Sequence, residues 1–336
     1  MKLKSIDQQV VAVVGASSGI GRETALQLAK RGAKLVVSAR SEAGLASLVK
    51  EIEQFGSEAI AVPADVSDCA QVKSIAAATI DRFGRLDTWV HAAATAVISP
   101  FEQVTPEEFK RVIDVNLMGP VYAAMAALPL LRQTGRGAFI AISSVEARRS
   151  MPLQTSYSAS KHGLEGFLDS LRAELRHEGV PISITNVMPA VINTPFYNKA
   201  RTKLGVKPTG VPPYYQPSLV AEAILHAAEY PTRDMIVGDV GRAVDFLQKI
   251  APDLVDTLVG AIAIPGQRTQ TIKAVDDPNN LFEPISGYDT VTGDFTDKTI
   301  PSFLDWFDVH PAAKWTTAAG LGAIALIAAN LFKEME

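Results

Sequence analysis

The chain has 336 residues, a formal net charge of −4, and 47% apolar against 20% charged residues, a balance that fits a packed globular protein and not a disordered one. That length suits one large α/β domain plus an appendage, or two modest domains. No dense Lys/Arg run is present, which excludes a nucleic-acid footprint, and the single cysteine, Cys69, excludes a disulfide framework and a cysteine-based zinc site, so no metal site is read.

The opening stretch, MKLKSIDQQVVAVVG, carries only a five-residue apolar run ahead of a glycine loop. It reads as a buried strand and is too short for a secretory signal, so a cytoplasmic catalytic region is expected. From there β-branched runs alternate with longer helical patterns. VVAVV (10–14) precedes a helix over 20–31, KLVVSA (34–39) a helix over 42–55, and EAIAV (58–62) a helix over 69–83. Then come LDTWVH (86–91), a long helix after Pro106, AFIAI (138–142), a helix carrying Tyr157, and PISITNV (181–187). Strands without polar alternation, separated by helices, predict a parallel sheet covered on both faces. Right-handed crossovers make it a doubly wound, Rossmann-type α/β domain, with ligands at the carboxyl ends of its strands.

After residue 193 the pattern loosens. The segment 195–217, rich in Pro, Gly and Lys and containing Phe196, Tyr197, Tyr214 and Tyr215, reads as a lid over a ligand site. A helix over 219–230, a short strand at 235–237 and a helix over 240–259 complete a catalytic region spanning 1–265. Residues 266–312 form an acidic, turn-rich extension and 313–336 an apolar C-terminal segment.

Gly15, Gly19 and Gly21 follow the first strand and open the first helix, with Ser17, Ser18 and Ile20 between them. Glycines permit a tight turn and close approach to a phosphate, and the helix start adds free N–H groups and partial positive charge. The arrangement predicts a dinucleotide site. At the end of the second strand an acidic residue would bind a ribose 2′-hydroxyl, whereas this chain reads Ser38-Ala39-Arg40-Ser41. A guanidinium forks well onto phosphate, so NADP(H) is favoured over NAD(H).

Tyr157 and Lys161 stand one helical turn apart on the same face. Ser144 ends a strand just before that helix, beside the expected cofactor cleft. A phenol has a reference pKa of about 10, and bringing it to about 7 needs roughly 4 kcal/mol of differential stabilisation. Lys161 and an oxidised nicotinamide supply positive charge toward that. A serine hydroxyl can hold a substrate oxygen as negative charge develops on it.

From about residue 9 to 240 the chain resembles the short-chain dehydrogenase/reductase family. The resemblance rests on GASSGIG (15–21), DVSD (65–68), VNLMG (115–119), ISS (142–144) and YSASK (157–161) in that order. It implies that Tyr157 is the acid/base, that Ser144 positions the carbonyl or alcohol oxygen, and that Lys161 holds the nicotinamide ribose and depresses the Tyr157 pKa. Asn116 would anchor a water in the proton relay, Asp65 and Val66 would meet the adenine, and Ile192 and Thr194 the nicotinamide amide. It also implies a homodimer or homotetramer pairing helices 106–132 and 157–178. Three positions depart from the family pattern: Val14 for a threonine, His91-Ala92-Ala93-Ala94 for Asn-Asn-Ala-Gly, and Pro189-Ala190 for Pro-Gly. These bear on cofactor affinity and local backbone geometry, and His91 is read as a structural histidine.

Residues 316–332, TTAAGLGAIALIAANLF, run without a charge between Lys314-Trp315 and Lys333. As a helix they would span about 26 Å, close to a bilayer core of about 30 Å, which predicts a C-terminal transmembrane anchor. The expected activity is carbonyl–alcohol interconversion on a lipophilic small molecule. Two alternatives stand beside it: a dinucleotide-binding sensor or scaffold without turnover, and an epimerase or dehydratase that cycles its cofactor without net consumption.

Overall fold

The computed structural model describes residues 2–305 of the chain. The 316–332 segment, with its predicted membrane helix, lies outside the described residues. In chain order the elements are β1 (Val10–Val14), α1 (Gly19–Lys30), β2 (Lys34–Ala39), α2 (Glu42–Gln54), β3 (Ala59–Pro63), α3 (Cys69–Phe83), β4 (Thr88–His91), β5 (Val97–Ile98), α4 (Pro106–Ile113) and α5 (Gly119–Thr134). They continue with β6 (Gly137–Ile142), α6 (Thr155–His177), β7 (Ile182–Pro189), α7 (Phe196–Lys199), β8 (Arg201–Thr202), β9 (Val206–Pro208), α8 (Pro217–Glu229), β10 (Asp234–Val237), α9 (Asp239–Ile250), α10 (Pro252–Gly266) and β11 (Arg268–Ile272).

The main sheet has seven strands in the order β10-β7-β6-β4-β1-β2-β3, each adjacent pair parallel. The absence of polar alternation has a direct cause. Along β1, Val11 and Val13 enter one apolar core with α1, α2 and α8, while Ala12 and Val14 enter a second core with α3, α5 and α6. β6 divides likewise, Ala138 and Ile140 on one face and Phe139 and Ala141 on the other. Both faces are therefore dry, and only apolar residues satisfy both. The crevice at the carboxyl ends of β1 and β4, where the strand order reverses, is the expected ligand position.

Three stretches differ from the sequence reading. The long helix after Pro106 starts with a Thr105–Glu108 capping box, a feature worth about 1 kcal/mol. It is then interrupted by a π-helical turn, Asp114–Met118, which carries Asn116. By length and composition Pro106–Thr134 could cross a membrane, but Ala123, Ala127 and Leu131 bury its second half against the sheet. The helix expected over 240–259 is two helices, α9 and α10, because Pro252 forces Ala251 out of helical geometry, at φ −145° and ψ 63°. Finally, the region read as a lid holds short regular elements: β8 pairs with β5, and β9 pairs with β11 of the extension.

The extension does not stand apart from the catalytic region. After β11 it runs back over the carboxyl ends of the strands. Leu281 is fully buried beside Val97 and Val112, Phe295 stacks on Tyr214 at 4.2 Å, and Asp305 accepts from the Gly238 backbone N–H and pairs with Arg242.

Candidate active site

A cavity of about 510 Å³ opens at the switch point of the sheet. Gly15, Ser17, Ser18, Gly19, Ile20 and Gly21 line it, as do Arg40, Asp65, Val66, Ile192 and Thr194, so every residue expected to hold the cofactor borders one space. Gly15 sits at φ +86° and a Cβ there would lie 2.5 Å from the Ala93 nitrogen. A Cβ on Gly21 would lie 2.2 Å from the Gly15 carbonyl oxygen. These glycines are required for backbone contact, the first with the end of β4 and the second within the loop itself.

The reacting end lies against α6. Ser144, Tyr157 and Lys161 all border the cavity. The Ser144 side chain stands beside the Tyr157 phenol and favours its ionised form. Lys161 Nζ donates to the Ile142 carbonyl at 2.8 Å and stands 5.4 Å from the centre of the Tyr157 ring. That leaves two ammonium hydrogens for a ligand. Burial pushes the Lys161 pKa down to about 7, with the Glu146 carboxyl opposing the shift. The phenol departs from the charge argument made on the sequence. Burial first, and then the Glu146 carboxyl, push the Tyr157 pKa up, and the Ser144 contact only partly offsets them. In the protein without cofactor, desolvation outweighs the effect expected of Lys161, so Tyr157 carries its proton at neutral pH.

Asn116 does not border the cavity. Its Oδ1 accepts from the Thr95 N–H at 2.9 Å, and its Nδ2 donates to the Thr95 carbonyl at 2.9 Å and to Ser160 Oγ at 3.1 Å. Its amide is thus committed to bracing the loop after β4 against α6.

Glu146, two residues beyond Ser144, was not singled out in the sequence. Its backbone N–H donates to Ser144 Oγ at 3.1 Å, and its carboxylate accepts from Ser158 Oγ at 2.9 Å. Burial raises its pKa to about 8. The one available signal was a charged residue four positions past an apolar strand end.

At the adenosine end Arg40 donates to the Asn280 carbonyl at 2.6 Å and to the Phe282 carbonyl at 2.8 Å, both from the extension. Burial tends to raise the Asp65 pKa, but hydrogen bonds from Arg111 and Ser67 outweigh it and hold the carboxyl below its usual value. Lys199, also missed, points Nζ at Ser18 Oγ.

The three departures are accommodated locally. Val14 packs in the second core. His91 is buried and neither ring nitrogen has a hydrogen-bond partner. Burial, then the Lys161 charge, push its pKa down to about 3, so it is neutral, in keeping with a structural histidine. The Ala190 methyl fits because glycines face it: Cβ atoms on Gly238 and Gly241 would lie 2.9 and 3.3 Å from it. Of the four lid aromatics, Phe196 and Tyr197 border the cavity, with Phe196 edge-on to Tyr157 at 5.6 Å. Tyr214 and Tyr215 pack inside the protein instead.

A glycine loop held against backbone, a helix start, the buried Lys161, the half-buried Lys199 and Arg40 around one cavity fit an anionic dinucleotide. The chain matches the short chain dehydrogenase family over residues 9–205. It is 39% identical over 297 residues to the uncharacterized oxidoreductase YxnA of Bacillus subtilis, covering 87% of this chain and 81% of that protein. It is 34% identical over 237 residues to the 3-oxoacyl-[acyl-carrier-protein] reductase of Synechocystis, covering 70% and 95% respectively. Among solved structures, it is similar to an alcohol dehydrogenase of Thermococcus sibiricus complexed with 5-hydroxy-NADP, at 26% identity and TM-score 0.60, covering 68% of this chain and 95% of that one. A short chain dehydrogenase/reductase of Burkholderia phymatum in complex with NAD matches at 25% identity and TM-score 0.67, covering 75% and 96%. With the Ser144, Tyr157 and Lys161 cluster at the mouth of a glycine-loop cleft, the chain belongs to the short-chain dehydrogenase/reductase family of oxidoreductases.

Proposed function

We propose that this protein interconverts a carbonyl and an alcohol on a lipophilic small molecule, with NADP(H) favoured over NAD(H). The observation that carries the reading is that Ser144, Tyr157 and Lys161 border the same cavity as the glycine loop, with Lys161 Nζ 5.4 Å from the Tyr157 ring centre. When bound, the dinucleotide supplies or takes the hydride. Everything else falls to the chain's own side chains. Ser144 holds the substrate oxygen, and the Tyr157 phenol, kept protonated by burial, delivers its proton to that oxygen in the reducing direction. Lys161 holds the nicotinamide ribose with its free hydrogens, and its charge favours the phenolate left behind. Asn116 keeps the loop after β4 and α6 in register.

Support for an apolar substrate comes from the far arm of the cavity. Val244 and Leu247 of α9 and Val255, Leu258 and Ile262 of α10 line it. Arg40 and Lys199 support the phosphorylated cofactor, since both are cations on the cavity wall. The test is oxidation of NADPH and NADH by detergent-solubilised full-length protein against aldehydes, ketones, quinones, steroids and retinoids. Turnover that prefers NADPH supports the reading, and no turnover on any carbonyl despite bound nucleotide counts against it.

Residues 316–332 are assigned in this reading to a membrane anchor that holds the catalytic region at the cytoplasmic face. Phe246, Ile250 and Leu254 on α9 and α10 are large, apolar and exposed, which supports a lipid-facing side near the substrate arm. Flotation with liposomes, with and without residues 313–336, tests it. Assembly as a dimer or tetramer through the outer faces of α4, α5 and α6 belongs to the same reading and is tested by light scattering in detergent.

A further inference from the structure

The acidic extension contributes a wall to the cofactor half of the cavity. Asn280, Pro284, Ile285 and Asp289 border it alongside the glycine loop, Arg40 and Asp65. The extension is bonded to the cavity-lining Gly19 and Arg40 and to Arg111, which pairs with the cavity-lining Asp65. The Gly19 N–H donates to the Thr290 carbonyl at 2.8 Å, Arg40 donates to the Asn280 and Phe282 carbonyls, and Arg111 donates to the Leu281 carbonyl at 2.9 Å. Two points pin the segment mechanically: Leu281 is fully buried, and Gly293 lies so close to the Thr194 carbonyl that a Cβ would come within 2.5 Å of its oxygen. The substrate arm leads elsewhere. Leu258 and Ile262 border the cavity and are exposed on α10, so a substrate has its own way in.

We propose that residues 279–296 are a strap that closes over the bound dinucleotide and retains it in the protein between turnovers, while substrates come and go past α10. The proposal rests on the oxidoreductase reading of the same cavity. A retained cofactor is recycled in place. With a bound nicotinamide to supply the hydride, a carbonyl compound would take hydride on carbon and the Tyr157 proton on oxygen, and would leave as an alcohol. A second compound, an alcohol, would then give up hydride from its carbinol carbon and its hydroxyl proton to the Tyr157 phenolate, and would leave as a carbonyl, with cofactor and phenol back in their starting state. Similarity to YxnA spans 87% of this chain, more than the catalytic region alone provides. The two solved structures are each covered almost fully while leaving a quarter or more of this chain unmatched.

The test uses full-length protein in detergent, loaded with NADPH, passed through a desalting column and then mixed with excess NADP⁺ to follow release by NADPH fluorescence. The expected result is close to one nucleotide retained per chain, with release at least about tenfold faster in Leu281→Ala and in Gly293→Ala. Loss of the nucleotide on the column from the unaltered protein, release at the same rate from the variants, or tighter binding by the variants overturns the strap. The last outcome would mark the segment as a plug in the cofactor's place. If neither variant folds, limited proteolysis of the unaltered protein decides: NADPH is expected to slow cleavage within 279–296, and equal cleavage with and without NADPH overturns the proposal. Rapid exchange with Tyr157-dependent turnover intact defeats the strap alone, whereas no nucleotide binding and no turnover defeats the underlying reading.

Discussion

Lys199 of the lid helix α7 donates from Nζ to Ser18 Oγ of the glycine loop at 2.6 Å, a contact between residues 181 positions apart. Burial, with the Arg40 charge in addition, lowers its pKa to about 8, against the pull of Asp289. A cation held there is placed for the phosphates of a dinucleotide.

Lys199→Met is therefore expected to weaken nucleotide binding by roughly ten- to a hundredfold, the loss of a charge-assisted contact of about 1.5–3 kcal/mol, with little change in kcat. Affinity of the unaltered protein should also fall as pH rises through about 8, where the ammonium deprotonates. Titration calorimetry at pH 7 and pH 9 measures both. Equal affinity in the variant would remove Lys199 from the site.

Arg40 has two readings that one experiment separates. If it meets a 2′-phosphate, Arg40→Ala raises the NADPH KM by roughly tenfold or more and leaves that for NADH within about threefold. If it only ties down Asn280 and Phe282, both cofactors suffer alike. The first result is expected.

Glu146 gives a stability test whose sign follows from its pKa. Folding raises that pKa from the ordinary carboxyl value of 4.5 to about 8, so the stability of the neutral carboxyl is complete below about 4.5 and is lost as pH rises through about 8. His91 acts the other way at lower pH, because its pKa is depressed to about 3. Its stability is present above the unfolded value and lost as pH falls through about 3. Lys161, depressed to about 7, likewise gains above that pH. Comparing Glu146→Gln with the unaltered protein isolates the carboxyl. The melting temperature of the parent should drop relative to the variant between pH 5 and pH 8. Parallel profiles would show that the carboxyl is not held neutral.

Asn116→Ala strands the Thr95 backbone N–H and carbonyl in a buried place and removes the bond that Ser160 Oγ accepts, leaving that hydroxyl its bond to the Tyr157 carbonyl. A loss of roughly 2–4 kcal/mol is expected, seen as a melting temperature lower by at least several degrees together with a reduced kcat. A stable variant with normal kcat would deny Asn116 its bracing role.

Much of the fold was legible because both faces of the sheet are dry. A strand such as 10–14 must then be apolar throughout, and the helices between strands keep their own period. The reacting cluster was legible for a different reason: Tyr157 and Lys161 share one turn of one helix, and Ser144 ends the strand before it. Lys199 escaped because its neighbourhood has no periodicity, and its partner lies at the other end of the chain. The course of the extension escaped because it is held largely through backbone carbonyls at 280, 281, 282 and 290, which any residue supplies. The break at Pro252 was visible as a proline, but the apolar pattern continues across it. The raised Tyr157 pKa could not be read from the neighbouring lysine, since it depends on how completely the phenol is buried.

The most direct measurement is turnover by Tyr157→Phe beside the unaltered protein, with NADPH binding measured on the same preparations. The expected result is a loss of kcat by about a thousandfold or more, in the range for removing a positioned acid, with nucleotide affinity retained within a few fold. Full turnover in Tyr157→Phe with cofactor bound would contradict the assignment of the phenol as the proton donor, and with it the proposed chemistry of the site.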